Sequence, residues 1–291
     1  MNIYNNIEEI GEILSPNSLV NADCLIAMKY IKDKSIDAII ADLPFGVTSH
    51  KEDIAIPFEP LWKEYERIIK DNGAIILFAQ GLFYVDLVNS NRKLFKYDLI
   101  WDKKLTTGFL NAKRMPLRVH EQIAVFSKSN LTMDIKDRTI PVKSHEQIAI
   151  FYKKLPTYNP QFTEGIPLHS KGNSYKDKEH KNENYGKFNM TDDDRKGSTQ
   201  KYPKSIISYQ KPHPSSALHR TEKSIDCLEY LIKTYTNEND TVLDNTMGSG
   251  SCLVASKNTN RKFIGIELNK DYFDIAHERI LNLINNEILR K

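Results

Sequence analysis

Four consecutive residues, Asp42-Leu43-Pro44-Phe45, have the side-chain types and order that best narrow the chemistry of this chain. They follow the apolar run 36–41, which predicts a buried strand that ends in a turn. The Asp42 carboxylate can accept a hydrogen bond from an exocyclic amine. The carbonyl of Leu43 or Pro44 can accept a second, because strand ladders rarely use a carbonyl so close to a proline. Phe45 can stack on the ring that carries the amine. The tetrapeptide therefore predicts a catalytic site that holds a planar amine for an electrophile; the alternative is an ordinary strand end.

A glycine-containing turn follows a second predicted strand, Thr241–Asp244, and continues as Asn245–Gly250. Two glycines let the backbone approach a ligand closely, and the next helix presents its first N–H groups there. The dinucleotide fingerprint requires a third glycine, but Leu253 occupies that position. The turn therefore predicts a nucleotide-like cofactor without matching the dinucleotide motif.

Two further acids are predicted at strand ends. Glu267 ends the predicted strand Phe263–Glu267 and is placed to accept both hydroxyls of a ribose. Asp23 follows the short predicted strand Ser18–Asn21 and can accept a hydrogen bond from an adenine amine. These acids favour an S-adenosylmethionine pocket over a nicotinamide pocket. A helix-capping or surface role for Glu267 is the alternative.

The segment Leu218–Lys223 opens the helix that precedes the glycine turn. Thr221 is predicted as the N-cap. Lys223 is placed to meet the carboxylate of the methionine part, although a simple helix start explains the segment equally well. The full set of predicted cofactor-binding residues is Asp23, Asp42, His219, Thr221, Lys223, Asp244, Asn245, Met247, Gly248, Ser249, Gly250, Glu267 and Leu268.

The composition excludes several other classes of protein. The chain has 291 residues, of which 40% are hydrophobic, enough for one large α/β domain or for a domain with an insertion. No apolar run approaches the roughly 18 residues of a membrane span, and the N-terminal residues lack a signal-peptide pattern. The three cysteines are not in paired spacing, so neither a disulfide framework nor a cysteine zinc site is expected. We therefore expect a cytoplasmic protein.

Strands alternate with helices at both ends of the chain, which predicts an α/β fold with a mostly parallel sheet. The predicted strands are 18–21, 36–41, 74–78, 97–101, 241–244 and 263–267, with a turn at 71–73. The predicted helices are 24–32, 60–69, 82–88, 222–234 and 272–284.

The middle of the chain has a different character. Residues 151–213 hold twelve Lys/Arg against seven Asp/Glu and show little periodicity. This composition predicts either an insertion that binds a polyanion or a solvated basic loop.

A tandem duplication precedes this segment: Met115–Phe126 recurs 25 residues later as Ile140–Phe151. We expect one copy to fill a position in the sheet and the other to lie at an edge or on the surface.

Together these motifs resemble the DNA amino-methyltransferases in their permuted, beta-type order, and most of all the adenine methylases of phages and prophages. In that family an Asp/Asn/Ser-Pro-Pro-aromatic motif comes first, then the target-recognition region, then the glycine-rich cofactor motif. Here Leu43 replaces the first proline, and Arg220 and Ser224 replace prolines often found near the cofactor motif. The resemblance implies a Rossmann-like S-adenosylmethionine-dependent methyltransferase fold. It divides the chain into a catalytic half (1–151), a target-recognition insertion (152–213) and a cofactor-binding half (214–291).

The resemblance further implies a site-specific enzyme that methylates the N6 amine of adenine in double-stranded DNA after the base is flipped out. Cytosine-N4 methylation and a catalytically inactive DNA-binding relative remain the alternatives. Cytosine-C5 methylation is excluded, because it needs a thiolate nucleophile expected after a proline and no Pro-Cys pair occurs. A homodimer and a cognate restriction endonuclease are partners that the family admits and the sequence does not fix. The expected DNA-backbone contacts are Lys103, Lys104, Lys113, Arg114 and Arg118.

Overall fold

The computed structural model describes residues 1–46, 53–107, 118–126, 157–165, 181–182, 186–187, 199–213, 215–219 and 222–289. Contacts divide the chain into a larger unit, Met1–Asn159 with Ser205–Lys291, and a smaller unit, Pro160–Lys204. Within the described ranges, no helix combines the length and apolar character needed to cross a membrane. The predicted division at residues 151/152 and 213/214 remains a prediction.

The elements follow the predicted alternation of strands and helices. The strands are β1 (Asn2–Tyr4), β2 (Ser18–Asn21), β3 (Ile36–Asp42), β4 (Ile69–Ala79), β5 (Phe95–Thr107), β6 (Arg118–Phe126), β7 (Thr163–Glu164), β8 (Lys181–Asn182), β9 (Gly186–Lys187), β10 (Gln200–Lys201), β11 (Ile206–Ser208), β12 (Thr241–Asp244) and β13 (Lys262–Glu267). The helices are α1 (Cys24–Ala27), α2 (Phe58–Ile68), α3 (Gly81–Ser90), α4 (Ile225–Tyr235), α5 (Ser251–Asn258) and α6 (Lys270–Leu289), with short 3₁₀ turns at Ile7–Glu9 and Met28–Tyr30.

The larger unit is built on a nine-stranded sheet in the order β1-β2-β13-β12-β3-β4-β6-β5-β11. The first six strands in this order, β1, β2, β13, β12, β3 and β4, are parallel to one another. Strand β6 is antiparallel to both β4 and β5, and β11 is parallel to β5. The predicted α/β class with a mostly parallel sheet is therefore confirmed.

The central strands are apolar on both faces because helices cover both sides of the sheet. Neighbouring residues of β3 and β12 point to opposite faces of the sheet and pack into different hydrophobic clusters. Ile39 and Leu243 belong to one cluster, and Ile40 and Val242 belong to the other. All four side chains are at most 1% exposed. This burial fixes the register of the two strands, since a slip of one residue would exchange the faces.

Three local predictions need correction or extension. Residues 71–73, predicted as a turn, lie inside β4, where the pairing with β3 shifts between Ile36 and Ala38 and the extra residues are taken up as an irregularity. Strands β1 and β11 were not predicted, because three-residue edge strands carry too short a pattern. Of the duplicated segments, 118–126 forms the interior strand β6, whereas 140–151 lies outside the described residues.

In its described residues, the smaller unit contains two short antiparallel ribbons. Strand β7 pairs with β10, and β8 pairs with β9. The rings of Phe162 and Tyr202 lie 5.1 Å apart between centroids beside the first ribbon, and both are exposed, at 40% and 56%. The first ribbon therefore carries an exposed aromatic pair.

The irregularity in β4 generates a prediction for Gly73. A Cβ added there would lie 2.8 Å from the Asp37 carbonyl oxygen and 2.8 Å from Ile69 Cδ1, closer than such atoms approach. We expect Gly73→Ala to lower the free energy of unfolding by about 1–3 kcal/mol in urea titrations, the usual cost of overpacking. Gly11→Ala is the matched control, because its added Cβ meets nothing within 4 Å. Equal unfolding midpoints for the two variants would contradict this packing.

Candidate active site

The predicted catalytic tetrapeptide lies at the carboxyl edge of the sheet. Asp42 is the last residue of β3 and is paired in register with Phe78 of β4. Leu43 turns back into the core and is 3% exposed, which leaves its main chain rather than its side chain for contact with a ligand. Pro44 is partly buried. This edge is where open parallel sheets bind ligands.

Phe45 is packed against another aromatic side chain. Its ring stacks on Phe83 of α3, with centroids 4.6 Å apart and planes inclined by 25°. Phe58 also approaches Phe83, at 5.8 Å. The ring predicted to stack on a base is therefore held by a small aromatic cluster beside the carboxyl end of β3.

The glycine turn lies beside Asp42 because β12 pairs with β3. The hydroxyl of Thr246 donates a hydrogen bond of 3.1 Å to the Asp42 carbonyl oxygen. Gly248 and Gly250 have φ of +50° and +79°, in the left-handed region that favours glycine. A Cβ on Gly248 would lie 3.3 Å from His219 Cδ2, and one on Gly250 would lie 3.0 Å from Ala276 Cβ. Both the backbone conformation and the close neighbours therefore favour glycine at these two positions.

A pocket of about 430 Å³, counting the part open to solvent, unites the two motifs. Asp42 and Phe78 line one side, Gly248 and Ser249 line another, and Lys223 lies at the wall. The structure therefore brings the predicted catalytic acid and the predicted cofactor turn into one site.

An ion pair joins the two halves of this pocket. Lys223 Nζ donates to Asp42 Oδ2 at 2.5 Å, and the two side chains are only 8% and 19% exposed. The ammonium also lies over the Phe78 ring, 5.1 Å from its centroid. Lys223 therefore contacts the predicted catalytic acid in this structure, rather than only the cofactor side.

Three carboxylates gather near the turn. The pKa of Asp244 is raised to about 8, chiefly by burial and also by the nearby Glu267 and Asp42, which together outweigh the hydrogen bond from the Thr246 N–H and the charge of Lys223. Asp244 is 6% exposed. Asp244 is therefore mostly protonated at neutral pH and supplies little negative charge to the site.

The two predicted adenosine-binding acids have backbone partners. Glu267 accepts hydrogen bonds from the N–H groups of Gly248 and Asn269, each at 2.8 Å. Asp23 caps α1 by accepting from the N–H groups of Leu25 and Ile26. Their carboxylate oxygens have further lone pairs, so ribose and adenine contacts remain predictions. Leu268 is 70% exposed beside Glu267.

Asn245 is buried at the base of the turn, with 1% of its surface exposed. Its Oδ1 accepts a hydrogen bond of 2.6 Å from the Tyr65 hydroxyl, which belongs to α2. Met247 is also buried, and its N–H donates to the Ile266 carbonyl at 3.0 Å. These two predicted cofactor-binding residues therefore fix the turn against its neighbours.

The segment before α4 is anchored by a buried ion pair that sequence reasoning missed. Glu222, 6% exposed, accepts from Arg279 at 2.8 Å, from Ser251 Oγ at 3.1 Å and from the Leu218 N–H at 2.7 Å. Arg279 also donates to the Ser249 carbonyl at 3.1 Å. No local signal in the sequence could reveal this pair, because Glu222 lies before α4 and Arg279 lies 57 residues later, in α6.

The predicted N-cap at Thr221 is wrong. Helix α4 begins at Ile225 with Ser224 at the N-cap, and Thr221 itself lies outside the described residues. His219 packs edge-on against Tyr272, with ring centroids 4.2 Å apart. His219 and Lys223 both line the pocket, so their roles there remain predictions.

The structure describes the side chains of two of the five predicted DNA contacts, Lys103 and Lys104. Lys103 is 2% exposed, so the structure contradicts its assignment as a phosphate contact: its side chain is packed inside the fold. Lys104 is exposed and remains a candidate. Lys113 and Arg114 lie outside the described residues, and of Arg118 the structure describes only the backbone in β6.

The raised pKa of Asp244 generates a prediction about stability. An acid whose pKa is higher in the folded than in the unfolded state makes folding less favourable as pH rises between the two values. We expect Asp244→Asn to stabilise the fold relative to the parent chain, with a gain that grows from about pH 4 to pH 8, where each pKa unit corresponds to about 1.4 kcal/mol. Thermal unfolding at pH 4, 6 and 8 measures it. A difference in stability that does not change with pH would contradict the shift.

Comparison with known proteins places these features in a family. The chain is 28% identical to the Type II methyltransferase M.BamHI of Bacillus amyloliquefaciens over 97% of its own length, and it spans 62% of that protein. It is 24% identical to M1.MboII of Moraxella bovis, over 91% of this chain and 96% of that protein.

Solved structures share the fold. The M1.HpyAVI–SAM complex superposes with a TM-score of 0.55 at 22% identity, over 90% of this chain and 98% of that one. The PvuII cytosine-N4-specific DNA methyltransferase superposes with a TM-score of 0.56 at 12% identity, over 91% of this chain and 86% of that one. The predicted Rossmann-like methyltransferase fold is confirmed by these neighbours.

The family model described as DNA methylase (N6_N4_Mtase) matches residues 36–278. That match runs from the start of β3 into α6, and with it the predicted resemblance is confirmed: the chain belongs to the DNA methylase family.

Proposed function

We propose that this chain methylates the exocyclic N6 amine of adenine in DNA, with S-adenosylmethionine as the methyl donor. The observation that carries the proposal is the common pocket of Asp42 and the Gly248–Gly250 turn, set at the carboxyl ends of adjacent parallel strands. Family membership supports DNA methylation, and the finer choice of adenine is ours.

The residues present fit the proposed donor. The turn has glycine at 248 and 250, where a Cβ would press on His219 and on Ala276, respectively. Its residues Gly248 and Ser249 line the pocket. The carboxylates of Asp42 and Glu267, which lie close to Asp244, suit a cationic sulfonium. When bound, S-adenosylmethionine supplies an electrophilic methyl group. Glu267 and Asp23 are the proposed contacts for its ribose and adenine, respectively.

Asp42 is the proposed catalytic residue. The lone pair of an aromatic amine is conjugated into the ring, so the nitrogen is a poor nucleophile until its hydrogens are held and its electron density rises. The Asp42 carboxylate and a carbonyl of Leu43 or Pro44 would hold these hydrogens, and positioning of this kind supplies a large part of the rate acceleration. Asp42 need not be a strong base, because the amine proton becomes acidic only as the methyl group is transferred.

Phe45 is proposed to bind the extruded base. Taking a base out of the duplex costs a few kcal/mol, and stacking on an aromatic ring recovers roughly 1–3 kcal/mol. Because Phe45 is held by Phe83, its ring needs little ordering when the base arrives. This preorganisation is consistent with a ring that receives a planar ligand.

The acid at position 42 favours adenine, because cytosine-N4 enzymes of this type more often carry serine there. The second candidate, cytosine-N4 methylation, is favoured by the fold shared with the PvuII enzyme, which is named cytosine-N4-specific. A DNA-binding relative without turnover is the remaining alternative, and the pocket that unites Asp42 with Gly248 and Ser249 argues against it.

The insertion 152–213 is the proposed target-recognition region, acting on double-stranded DNA in the cytoplasm. Its described part carries the exposed pair Phe162 and Tyr202 near Lys201 of β10, and aromatic rings beside lysines are typical of nucleic-acid surfaces. Lys104, Lys113, Arg114 and Arg118 are proposed backbone contacts outside it. Phosphate contacts would make binding fall steeply with salt. A homodimer and a cognate restriction endonuclease are further proposals.

Expression in a host that lacks DNA methylation tests the base assignment. Sequencing of the host DNA with detection of modified bases should find N6-methyladenine within one short sequence motif. N4-methylcytosine in a single motif would overturn the adenine assignment and support the second candidate. Unmodified DNA, from a chain that binds the donor, would favour the inactive relative.

Asp42→Ala tests the catalytic assignment. We expect methyl incorporation into DNA to fall by about 10²-fold or more, because alanine offers no acceptor for the amine hydrogens, while the protein still binds the donor. Asp33→Ala is the control: it removes an exposed acid that pairs with Arg67 and does not line the pocket. Incorporation by purified Asp42→Ala protein at the rate of the parent chain would rule out the proposed role.

A further inference from the structure

The ion pair between Lys223 and Asp42 occupies two groups that are each proposed to bind a ligand. Asp42 is proposed to accept a hydrogen bond from the target amine, yet its Oδ2 accepts from Lys223 at 2.5 Å. Lys223 is proposed to meet the carboxylate of the donor, yet it is paired with Asp42. One ammonium therefore serves two anionic partners at the same pocket.

The surroundings of this ion pair strengthen the attraction between its two charges. Both side chains are largely buried, and Lys223 also contacts the Phe78 ring, so the pair is shielded from water on that side. Attraction between charges is stronger in such surroundings than in solvent. An Asp42 carboxylate that lost its lysine without another partner would be costly, since a buried charge without compensation is strongly destabilising.

The backbone that carries Lys223 is held in place. Its neighbour Glu222 is fixed by Arg279 and Ser251, and His219 packs on Tyr272. The lysine stem, in contrast, has four rotatable carbons and ends in a compact charge. Lys223 can thus change its partner by rotating its side chain, without movement of the segment.

We propose that Lys223 is a positioning residue that exchanges partners, pairing with Asp42 until the carboxylate of the methyl donor draws it away. The inference rests on the proposed donor, S-adenosylmethionine. The exchange releases Asp42 Oδ2 from Lys223 only when a donor is present, and that oxygen can then accept a hydrogen bond from the target amine. The two ligands are coupled by this one side chain, and such coupling is reciprocal.

Calorimetric binding of two product-like ligands tests the exchange without DNA or turnover. S-adenosylhomocysteine carries the amino-acid carboxylate, whereas 5′-methylthioadenosine lacks it. We expect Asp42→Asn to tighten S-adenosylhomocysteine by about 5-fold or more, because Lys223 no longer has to leave Asp42. The affinity for 5′-methylthioadenosine should not change. Lys223→Met should weaken S-adenosylhomocysteine, and in that background Asp42→Asn should give no gain.

The double variant separates exchange from simple charge repulsion. If Asp42 only repelled the ligand carboxylate, Asp42→Asn would help as much or more in the Lys223→Met background, and that result would overturn the proposal. So would an unchanged affinity of Asp42→Asn for S-adenosylhomocysteine. Lys223→Arg, which keeps the charge, should restore part of the affinity lost in Lys223→Met. Lys233→Met, which removes a lysine paired with Glu229 on the exposed side of α4, is the matched control.

The outcomes also distinguish this inference from the proposed function. A parent chain that binds neither ligand would overturn the proposed donor and the exchange with it. A parent chain that binds S-adenosylhomocysteine, with no gain from Asp42→Asn, would overturn only the exchange. Thermal unfolding of each variant establishes that the compared proteins are folded.

Discussion

The parallel pairing of β12 with β3 is the constraint on which the site depends. Val242 pairs with Ala38 and Leu243 with Ile39, so two segments about 200 residues apart end at the same edge of the sheet. Asp42 and the glycine turn extend beyond that edge, and the Thr246 hydroxyl ties the turn to the Asp42 carbonyl. The buried faces of both strands prevent a shift in register. Proximity of the catalytic and cofactor motifs is therefore a consequence of core packing.

The site gathers like charges that the fold would be more stable without. Burial and the neighbouring acids raise the pKa of Asp244 to about 8, and Asp42 depends on Lys223 for compensation. The ion pair of Glu222 with Arg279 and the Tyr65–Asn245 hydrogen bond brace the same region from α6 and α2. Such polar groups at a functional site are commonly tolerated because the surrounding core supplies the stability. The arrangement indicates that function, rather than stability, determines these residues.

Features with a local cause were predictable from the sequence. The apolar runs that form β3 and β12, and the glycines at positive φ, each leave a pattern within a few residues. Features with a distant cause were not. The burial of Lys103, the continuation of β4 through residues 71–73 and the pairing of Glu222 with Arg279 depend on which segments meet in the folded chain. Thr221 and Ser224 are both residue types that N-caps prefer and lie less than one helical turn apart, so local preference does not separate them.

The most direct test of the account is a crystal structure of the chain with S-adenosylhomocysteine. The account predicts that the ligand sulfur faces Asp42, with room for a base amine at the reacting separation of about 3–3.5 Å. The adenosine should lie over the Gly248–Gly250 turn, with Glu267 at the ribose. A ligand bound away from the ends of β3 and β12, or a sulfur too far from Asp42 for a base to bridge the gap, would contradict it.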